Sequence, residues 1–446
     1  MPLCSSTMER TADTFIMKND LNSTSWKLFN MKLVVVGCGI GGARVIADVR
    51  RRLPKKELEI CVLDQRTNAQ CRALHPLILS GRATPEEASG DLRKFAEAHD
   101  AEFINEQVVD VDFDERIVKT EKGREVSYDH LVLAFGAEPD FSITGAEGAH
   151  SVYMLEDAVR AKDALDALDF SKERNVVVIG GGLTGVEVAG ELCDFFTRTG
   201  KRAKVTLVEK ENRILPELPE EASNYVADIL KEKGVELLTS TKVTEISDGG
   251  VVLEDGRKMP SDFTLWAGGI KPHSLIKTIA RVKTDPYLGE VGFPVTEDGW
   301  LRVEPFSRLM GMTSFEEVGE GEYKEYMVFA VGDAVKFEVV EPDMLEKVSM
   351  KTMDEAERHA KTVAKNIETA MKGWTKPLRH IYIPKNATVT PNVLIPLGEK
   401  DGVAVRCGSA KRVSPREIKR RVRVKRVSAA KIRREIERRF RALFEA

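Results

Sequence analysis

Short apolar runs that lead directly into glycine-rich segments are the main pattern of this chain. Residues 33–36 and 176–179 are runs of four aliphatic side chains, and each is followed by glycines and then by apolar positions at helical spacing. Such runs are typical of strands that are buried on both faces of a parallel sheet. Strands that alternate with helices in this way predict an α/β fold with two doubly wound, Rossmann-like sheets.

The glycines after the two runs have the spacing of dinucleotide-binding fingerprints. In each copy the first glycine permits a tight turn, the second lets the backbone approach a pyrophosphate, and the third lets the helix pack on the strand. The phosphates would meet free N–H groups at the positive end of the following helix. The positions predicted to bind dinucleotides are Gly37, Gly39 and Gly42 in the first copy and Gly180, Gly182, Leu183 and Gly185 in the second.

An acidic residue closes the next strand after each fingerprint. Asp64 follows the mainly apolar segment 58–63, and Glu209 follows the segment 205–208. A carboxylate at this place accepts hydrogen bonds from a free ribose 2′-hydroxyl and repels a 2′-phosphate. We therefore expect two dinucleotides without a 2′-phosphate, most simply a flavin and a nicotinamide.

The chain contains two copies, of unequal length, of one pattern of elements. In each copy the fingerprint is followed by its acidic strand, by further strands and by a closing strand that ends in glycine. The repeat predicts that one nucleotide-binding domain is inserted in the other and that a small C-terminal module follows. The predicted segments are an N-terminal extension at 1–30, the first part of the flavin domain at 31–150, the nicotinamide domain at 151–290, the second part of the flavin domain at 291–374, and the C-terminal module with its tail at 375–446.

The composition is that of an ordinary globular protein with an unusual C-terminal segment. The chain has 446 residues, 42% of them hydrophobic, and a net charge of only −3, but residues 411–446 contain fifteen Lys and Arg against four Glu. The six cysteines show no metal-ligand spacing, so we expect free thiols and no metal. No apolar run reaches the roughly 18 residues of a membrane span, and residues 1–30 do not resemble a secretory signal.

The basic segment 411–446 predicts an amphipathic helix. Ser414, Pro415 and Glu417 have the pattern of a helix start, with a capping serine, a first-turn proline and a capping glutamate. Such a helix lies in anionic membrane interfaces with its aromatic side chains buried. Docking on the protein's own acidic body is the main alternative, and nucleic acid is not expected. The apolar stripe consists of Ile432, Ile436, Phe440, Leu443 and Phe444.

Four motifs in a fixed order give the chain a resemblance to a known family. They are the first fingerprint with Asp64, the segment 128–137, the second fingerprint with Glu209, and the segment 329–334. Over residues 31–405 the chain resembles the two-dinucleotide flavoproteins of the pyridine-nucleotide oxidoreductase superfamily. The resemblance implies that FAD binds at the first fingerprint and NADH at the second. The further cofactor contacts that it implies are Val108, Gly136, Gly268, Gly332 and Asp333.

Two families within this superfamily share features with the chain. The segments 180–192 and 394–405 are similar to the type II NADH:quinone oxidoreductases, although the Ala-Gln…Gln-Gln-Gly pattern of their quinone-site helix is replaced at 354–360. Lys351 and Thr352 are closer to the sulfide:quinone oxidoreductases, which require a pair of redox cysteines beside the flavin. None of the six cysteines lies between residues 194 and 406, so NADH is the expected electron donor.

The expected function is hydride transfer from NADH to FAD, followed by transfer of two electrons to a membrane quinone. The resemblance places Glu187 at the nicotinamide, and we expect Lys351 and Glu355 to line the acceptor pocket and to deliver protons. A purely structural explanation is also available for each residue. Glu187 can be a first-turn carboxylate that the helix dipole favours, and Lys351 and Glu355 can belong to a solvent-exposed helix face. For Cys71, near the predicted flavin segment, a packing role is favoured over a reactive thiol.

Two other functions stay open from the sequence. One is a sulfide- or thiol-oxidising flavoprotein, and the other is an NADH-sensing flavoprotein without fast turnover. For the expected function we predict a peripheral protein at the cytoplasmic face of the cell membrane, in contact with anionic lipid through residues 411–446. A homodimer is left open.

Overall fold

The computed structural model describes residues 31–280, 283–285, 289–291, 293–303, 308–319, 322–337, 351–371, 393–407, 411–414, 417–419 and 422–445. The predicted N-terminal extension lies outside the described residues. The same holds for residues 375–392 of the predicted C-terminal module.

Residues 31–139 form the centre of a large sheet and two small antiparallel sheets. Their strands are β1 Met31–Val36, β2 Leu58–Leu63, β3 Asn68–Gln70, β4 Ser89–Asp91, β5 Ala101–Ile104, β6 Val108–Asp112, β7 Ile117–Thr120, β8 Glu125–Ser127, β9 His130–Leu133 and β10 Ala137–Pro139, and their helices are α1 Ile40–Arg50, α2 His75–Leu79 and α3 Leu92–Ala98. β1 pairs in parallel with β2 on one side and with β9 on the other. Val34 and Val35 point to opposite faces and are both fully buried, which explains the unbroken aliphatic run.

Residues 155–279 repeat this arrangement around a second parallel sheet. Their helices are α4 Leu155–Ala167, α5 Leu183–Thr199, α6 Glu220–Glu232 and α7 Leu275–Ile279, and their strands are β11 Arg174–Ile179, β12 Ala203–Val208, β13 Glu236–Leu238, β14 Val243–Ser247, β15 Gly250–Leu253, β16 Lys258–Pro260, β17 Phe263–Trp266 and β18 Ile270–Pro272. The parallel strand order is β13-β12-β11-β17. β10 and β18 pair in an antiparallel ribbon that joins the two parts of the molecule.

The chain then returns to the first sheet. The elements of this segment are β19 Lys283–Asp285, β20 Gly289–Val291, β21 Leu301–Val303, β22 Arg308–Gly319, β23 Glu322–Ala330, β24 Val335–Phe337 and α8 Met353–Met371. β23 pairs in parallel with β9, which completes an eight-stranded sheet in the order β24-β21-β22-β23-β9-β1-β2-β5. The prediction of two Rossmann-like sheets, one inserted in the chain of the other, is confirmed.

The described residues of the C-terminal module form a three-stranded antiparallel sheet, a two-stranded one and a helix. Its elements are β25 Val393–Leu397, β26 Asp401–Cys407, β27 Lys411–Ser414, β28 Glu417–Lys419, β29 Val422–Ser428 and α9 Ala429–Phe444. The prediction that a helix starts at Ser414 is wrong, because β27 and β28 pair with each other and β29 pairs with β26 along seven residues. A capping pattern provides hydrogen bonds for only a few backbone N–H groups, whereas these strand pairings provide them for the N–H and C=O groups along whole strands.

Helix α9 packs its apolar stripe against the body of the protein. Ile432, Phe440, Leu443 and Phe444 are buried, and the Phe444 ring centre lies 5.3 Å from that of Phe95 in α3. The stripe therefore docks on the protein itself, which was the main alternative to a membrane-facing stripe. A membrane contact of this helix would have to use its other, basic face.

We expect Phe444→Ala to lower the free energy of unfolding by about 3–5 kcal/mol, because it removes a buried aromatic side chain and leaves a cavity. Denaturant unfolding followed by circular dichroism measures the change. Arg438→Ala is the matched control on the same helix. The Arg438 side chain is 67% exposed, so its removal should change stability by no more than about 0.5 kcal/mol. Equal stability of Phe444→Ala and the wild-type protein would show that α9 is not docked as described.

Candidate functional sites

The first fingerprint has the backbone that a pyrophosphate requires. Gly37 has φ +96°, and a Cβ at this position would lie 2.5 Å from the carbonyl oxygen of Ala134. A Cβ at Gly42 would lie 2.0 Å from the carbonyl oxygen of Gly37, so the helix and the turn approach too closely for any side chain. Gly39 caps α1 without a side-chain hydrogen bond and has open space in front of its Cβ position. The turn therefore fits a dinucleotide phosphate at the free N–H groups of α1.

The second fingerprint repeats this geometry. Gly180 has φ +105°, and a Cβ at Gly185 would lie 1.8 Å from the carbonyl oxygen of Gly180. Gly182 caps α5 without a side-chain hydrogen bond, and the space in front of it is open. Leu183 is the first residue of α5. The residues present thus fit two dinucleotides, one at each fingerprint.

The two predicted acidic residues contact the fingerprint turns directly. Asp64 accepts hydrogen bonds from the backbone N–H groups of Cys38, at 2.7 Å, and Arg66, at 2.9 Å. Glu209 is buried and accepts from the N–H groups of Gly181 and Glu211. Each carboxylate is therefore held at the second residue of its turn, where its remaining lone pairs can accept from a ribose.

Gly332 and Asp333 lie in a 3₁₀ turn after β23, and Gly332 has φ +74°. Nη1 of Arg72 donates to Oδ2 of Asp333 at 3.1 Å, and the Arg72 guanidinium lies 4.1 Å from the centre of the Tyr153 ring. Sequence reasoning did not assign Arg72 and Tyr153 to this site. Neither belongs to a motif, and Arg72 is separated from Asp333 by 261 positions.

The other predicted cofactor residues lie at the ends of strands in the two halves of the molecule. Gly136 follows β9 and has φ +78°. Gly268 follows β17, where a Cβ would lie 2.2 Å from the ring of Trp266. Val108 begins β6 and is buried.

Lys351 and Glu355 are brought to the turn that holds Asp333. Nζ of Lys351 donates to the carbonyl oxygens of Asp333, at 2.8 Å, and Val335, and lies 4.1 Å from the centre of the Trp300 ring. Burial lowers the pKa of Lys351 to about 8. The Glu355 carboxylate accepts from the backbone N–H of Lys351 at 3.2 Å. Together with His359 of α8 these residues line one cleft.

His359 is the buried imidazole among the residues that line this cleft. The Gly332 N–H donates to its Nδ1 at 3.4 Å, and burial lowers the pKa of the imidazole to about 3. His359 is therefore neutral at physiological pH and acts as a hydrogen-bond acceptor there. The pKa of Lys351, about 8, lies in the range where protons are exchanged near neutrality.

Glu187 lies one turn into α5, on the side of the second fingerprint. Its carboxyl is partly buried, and burial together with the negative charge of Glu191 raises its pKa to about 8. At neutral pH it is protonated. Its environment is thus unlike that of a solvated first-turn carboxylate.

Cys71 has the environment of a packing thiol. It is buried, and burial raises its pKa to about 12. The neighbouring Arg72 is directed to Asp333 and Tyr153. Among the described residues the structure shows four free cysteines, all buried, and no cluster of three metal-ligating side chains. In the same part of the chain no helix is long and apolar enough to cross a membrane.

The fold and the two fingerprints define a class of protein, the two-dinucleotide oxidoreductases. The family model described as pyridine nucleotide-disulphide oxidoreductase matches residues 31–360, and the chain belongs to that family. This membership confirms the predicted superfamily. The predicted pair of dinucleotides, FAD and NADH, is confirmed with it.

Curated relatives agree with the resemblance to one branch of the family. A protein of Staphylococcus aureus (strain NCTC 8325 / PS 47) described as a type II NADH:quinone oxidoreductase is 25% identical over 270 residues, which cover 55% of this chain and 66% of the relative. A Staphylococcus haemolyticus (strain JCSC1435) relative of the same description is 25% identical over 268 residues. The match thus spans 66% of the length of these relatives.

Solved structures share the fold over most of the chain. The sulfide:quinone oxidoreductase of Aquifex aeolicus superimposes with a TM-score of 0.72 at 19% identity and covers 92% of this chain and 90% of its own. NDH2 of Plasmodium falciparum in complex with NADH superimposes with a TM-score of 0.68 at 18% identity and covers 84% and 90%. At these identities the likeness concerns the fold.

We expect Glu209→Ala to reduce the preference for NADH over NADPH by about tenfold or more, because a hydrogen bond to a charged group contributes roughly 1.5–3 kcal/mol. The loss removes an acceptor for the ribose hydroxyl of NADH and a repulsion against the 2′-phosphate of NADPH. The measurement is kcat/KM for both cofactors. Glu211→Ala is the control, since the Glu211 side chain is exposed. If both variants keep the wild-type ratio, Glu209 is not the ribose ligand.

Proposed function

We propose that this protein is an FAD-dependent NADH:quinone oxidoreductase of type II, which passes a hydride from NADH to the flavin and then two electrons to a quinone. Bound FAD would supply the acceptance of a hydride and the release of its two electrons. The similarity to relatives of that description supports the proposal. The observation that carries it is the lysine-containing cleft at the Gly332–Asp333 turn, within a family member that has two dinucleotide sites.

The residues of the chain have separate tasks in this function. The first fingerprint and Asp64 hold one dinucleotide, and the second fingerprint and Glu209 hold the other. Reduction of a quinone consumes two protons as well as two electrons. Lys351 can supply a proton from the cleft, since burial lowers the pKa of its ammonium group to about 8. Glu355, which accepts from the backbone of Lys351, orients that residue.

Oxidation of sulfide is the second candidate function. The Lys351-Thr352 pair is similar to the corresponding segment of sulfide:quinone oxidoreductases, and one such enzyme shares the fold at a TM-score of 0.72. That chemistry needs a pair of cysteines beside the flavin. The described cysteines are single, buried thiols, and the sequence has no cysteine between residues 194 and 406. NADH is therefore the better supported donor.

Anaerobic mixing distinguishes these functions. We expect NADH to bleach the oxidised flavin and a quinone analogue to restore its colour, whereas bleaching by sulfide but not by NADH would overturn the proposal.

In Lys351→Gln the quinone step should slow by about 100-fold, the size of one general acid contribution. The wild-type quinone step should fall as pH rises through about 8, as Lys351 loses its proton, and the variant should lack this dependence. Lys361→Gln is the control, since Lys361 is an exposed lysine on α8.

We also propose that the protein contacts anionic membrane surfaces peripherally, through the basic face of the C-terminal module. The apolar side of α9 is buried, so the contact is electrostatic. The exposed basic residues of this face are Arg423 and Lys425 on β29 and Lys431, Arg434, Arg438 and Arg441 on α9.

We expect the change of Lys431, Arg434, Arg438 and Arg441 to Gln to weaken sedimentation with phosphatidylserine vesicles by tenfold or more, at about 1 kcal/mol per basic residue near the surface. Higher salt should weaken binding of the wild-type protein as well. The matched control changes four exposed lysines elsewhere, Lys55, Lys56, Lys122 and Lys172, to Gln. Equal loss in both variants would show that net charge, and not this face, causes the binding.

A further inference from the structure

A buried carboxylate stands where three parts of the molecule meet. Glu191 of α5 is 1% exposed, and Nη1 of Arg82 donates to its two carboxylate oxygens at 2.7 and 2.9 Å. The Ser80 hydroxyl donates to the same carboxylate at 3.0 Å. Arg433 of α9 donates to the backbone carbonyl of Arg82. We call these four residues the Glu191 junction.

The partners of Glu191 come from the other sheet domain. Ser80 and Arg82 directly follow α2, which belongs to the first half of the chain, whereas α5 begins at the second fingerprint. A buried charge is tolerated only when it is paired and hydrogen-bonded, so α5 is held where Arg82 and Ser80 can reach Glu191. Arg198, further along α5, adds a second link by donating to the carbonyl oxygen of Ser80 at 2.7 Å.

Glu191 lies four residues after Glu187 on the same helix. Residues at this spacing share a helix face, one turn apart. Both therefore lie on the helix that begins at the second fingerprint, and a displacement of Glu191 would move Glu187 with it.

We propose that Glu191 is a positioning residue: clamped by Arg82 and Ser80, it fixes α5, and with it Glu187 and the nicotinamide end of the bound NADH, relative to the flavin domain. The inference rests on the proposed function, since it concerns the hydride step. It predicts that the geometry of this step, more than the affinity for NADH, depends on the junction. Hydride transfer is sensitive to the distance and alignment of the reacting atoms.

The charge of Glu191 has a second consequence. Burial is the larger cause of the raised pKa of Glu187, and the negative charge of Glu191 adds to it. Removal of that charge should therefore lower the pKa of Glu187 from about 8. The other charged groups at the junction or next to it, among the described residues, are Arg82 after α2, Glu87 on the loop before β4, Arg433 and Glu437 on α9, and Asp194 and Arg198 on α5.

The test is Glu191→Gln, which keeps the shape of the side chain and removes its charge. We expect the rate of anaerobic flavin bleaching by NADH to fall by about tenfold, the result of a small misplacement, while the Kd for NADH changes by less than about twofold, because the fingerprint contacts stay. Independently of turnover, the ¹³C-carboxyl resonance of Glu187, assigned with Glu187→Gln, should titrate at a lower pH than in the wild-type protein.

Arg82→Gln tests the same contact from the other side. Without Arg82 the buried Glu191 becomes neutral, so the bleaching rate and the Glu187 titration should move in the same directions. Asp262→Asn is the matched control, because Asp262 pairs with Arg174 and with the N–H of Asn175 at the start of β11, the end of this strand away from the second fingerprint. It should leave the bleaching rate and the titration unchanged.

The outcomes separate this inference from the proposed function. If NADH does not bleach the wild-type flavin, the proposed function fails, and the titration of Glu187 still decides the influence of Glu191. If NADH bleaches the wild-type protein but Glu191→Gln and Arg82→Gln keep its rate and its titration, the inference is overturned. Should Glu191→Gln not fold, Arg82→Gln decides alone. A loss of stability with an unchanged rate would assign the junction a merely structural role.

Discussion

The close approach of a helix to the turn that precedes it is the constraint on which the rest of this structure depends. A Cβ at Gly42 would lie 2.0 Å from a backbone carbonyl oxygen of the turn, and a Cβ at Gly185 would lie 1.8 Å from the equivalent oxygen. Only glycine is therefore accommodated at these two positions. The same approach directs the N–H groups of α1 and α5 at a phosphate and leaves Gly39 and Gly182 open. Each turn with this approach fits one dinucleotide, and the acidic residue after the next strand, Asp64 or Glu209, accepts a hydrogen bond from the turn itself.

Burial controls the charges that surround these sites. Lys351 and Glu187 carry opposite charges when ionised, yet burial moves both pKa values to about 8, downward for the amine and upward for the acid. Burial also raises the pKa of Glu191, but Arg82 and Ser80 offset part of this shift because they pair with its carboxylate.

The C-terminal module connects the halves of the molecule. Asp194 on α5 accepts from the N–H of Glu399, while α9 is paired through Arg439 to Glu357 on α8 and packs Phe444 against Phe95. The apolar face of α9, which would also suit a membrane interface, therefore packs on other parts of the protein and stabilises their arrangement. Its opposite face stays basic and exposed, which leaves electrostatics as the means of any membrane contact.

The sequence by itself determined the elements whose cause is local. The two strand–glycine–helix units, Asp64 and Glu209 at the following strands, and the inserted order of the sheets could all be predicted, because a turn that requires glycine and a strand that is buried on both faces leave their pattern in adjacent residues. The prediction that a helix starts at Ser414 failed, since a capping pattern does not reveal that Ser414 lies in β27, which pairs with β28, or that the following β29 pairs with β26.

Tertiary structure decided which partner each polar or apolar face meets. The stripe of α9 was visible in the sequence, but whether lipid or protein covers it was not. Lys351 was a candidate residue, but its contacts with Asp333 and Trp300 and its lowered pKa come from packing. Glu191 and Arg82 are 109 positions apart and belong to no shared motif. Periodicity records that a side chain must be buried or paired, whereas only the folded chain brings its partner within reach.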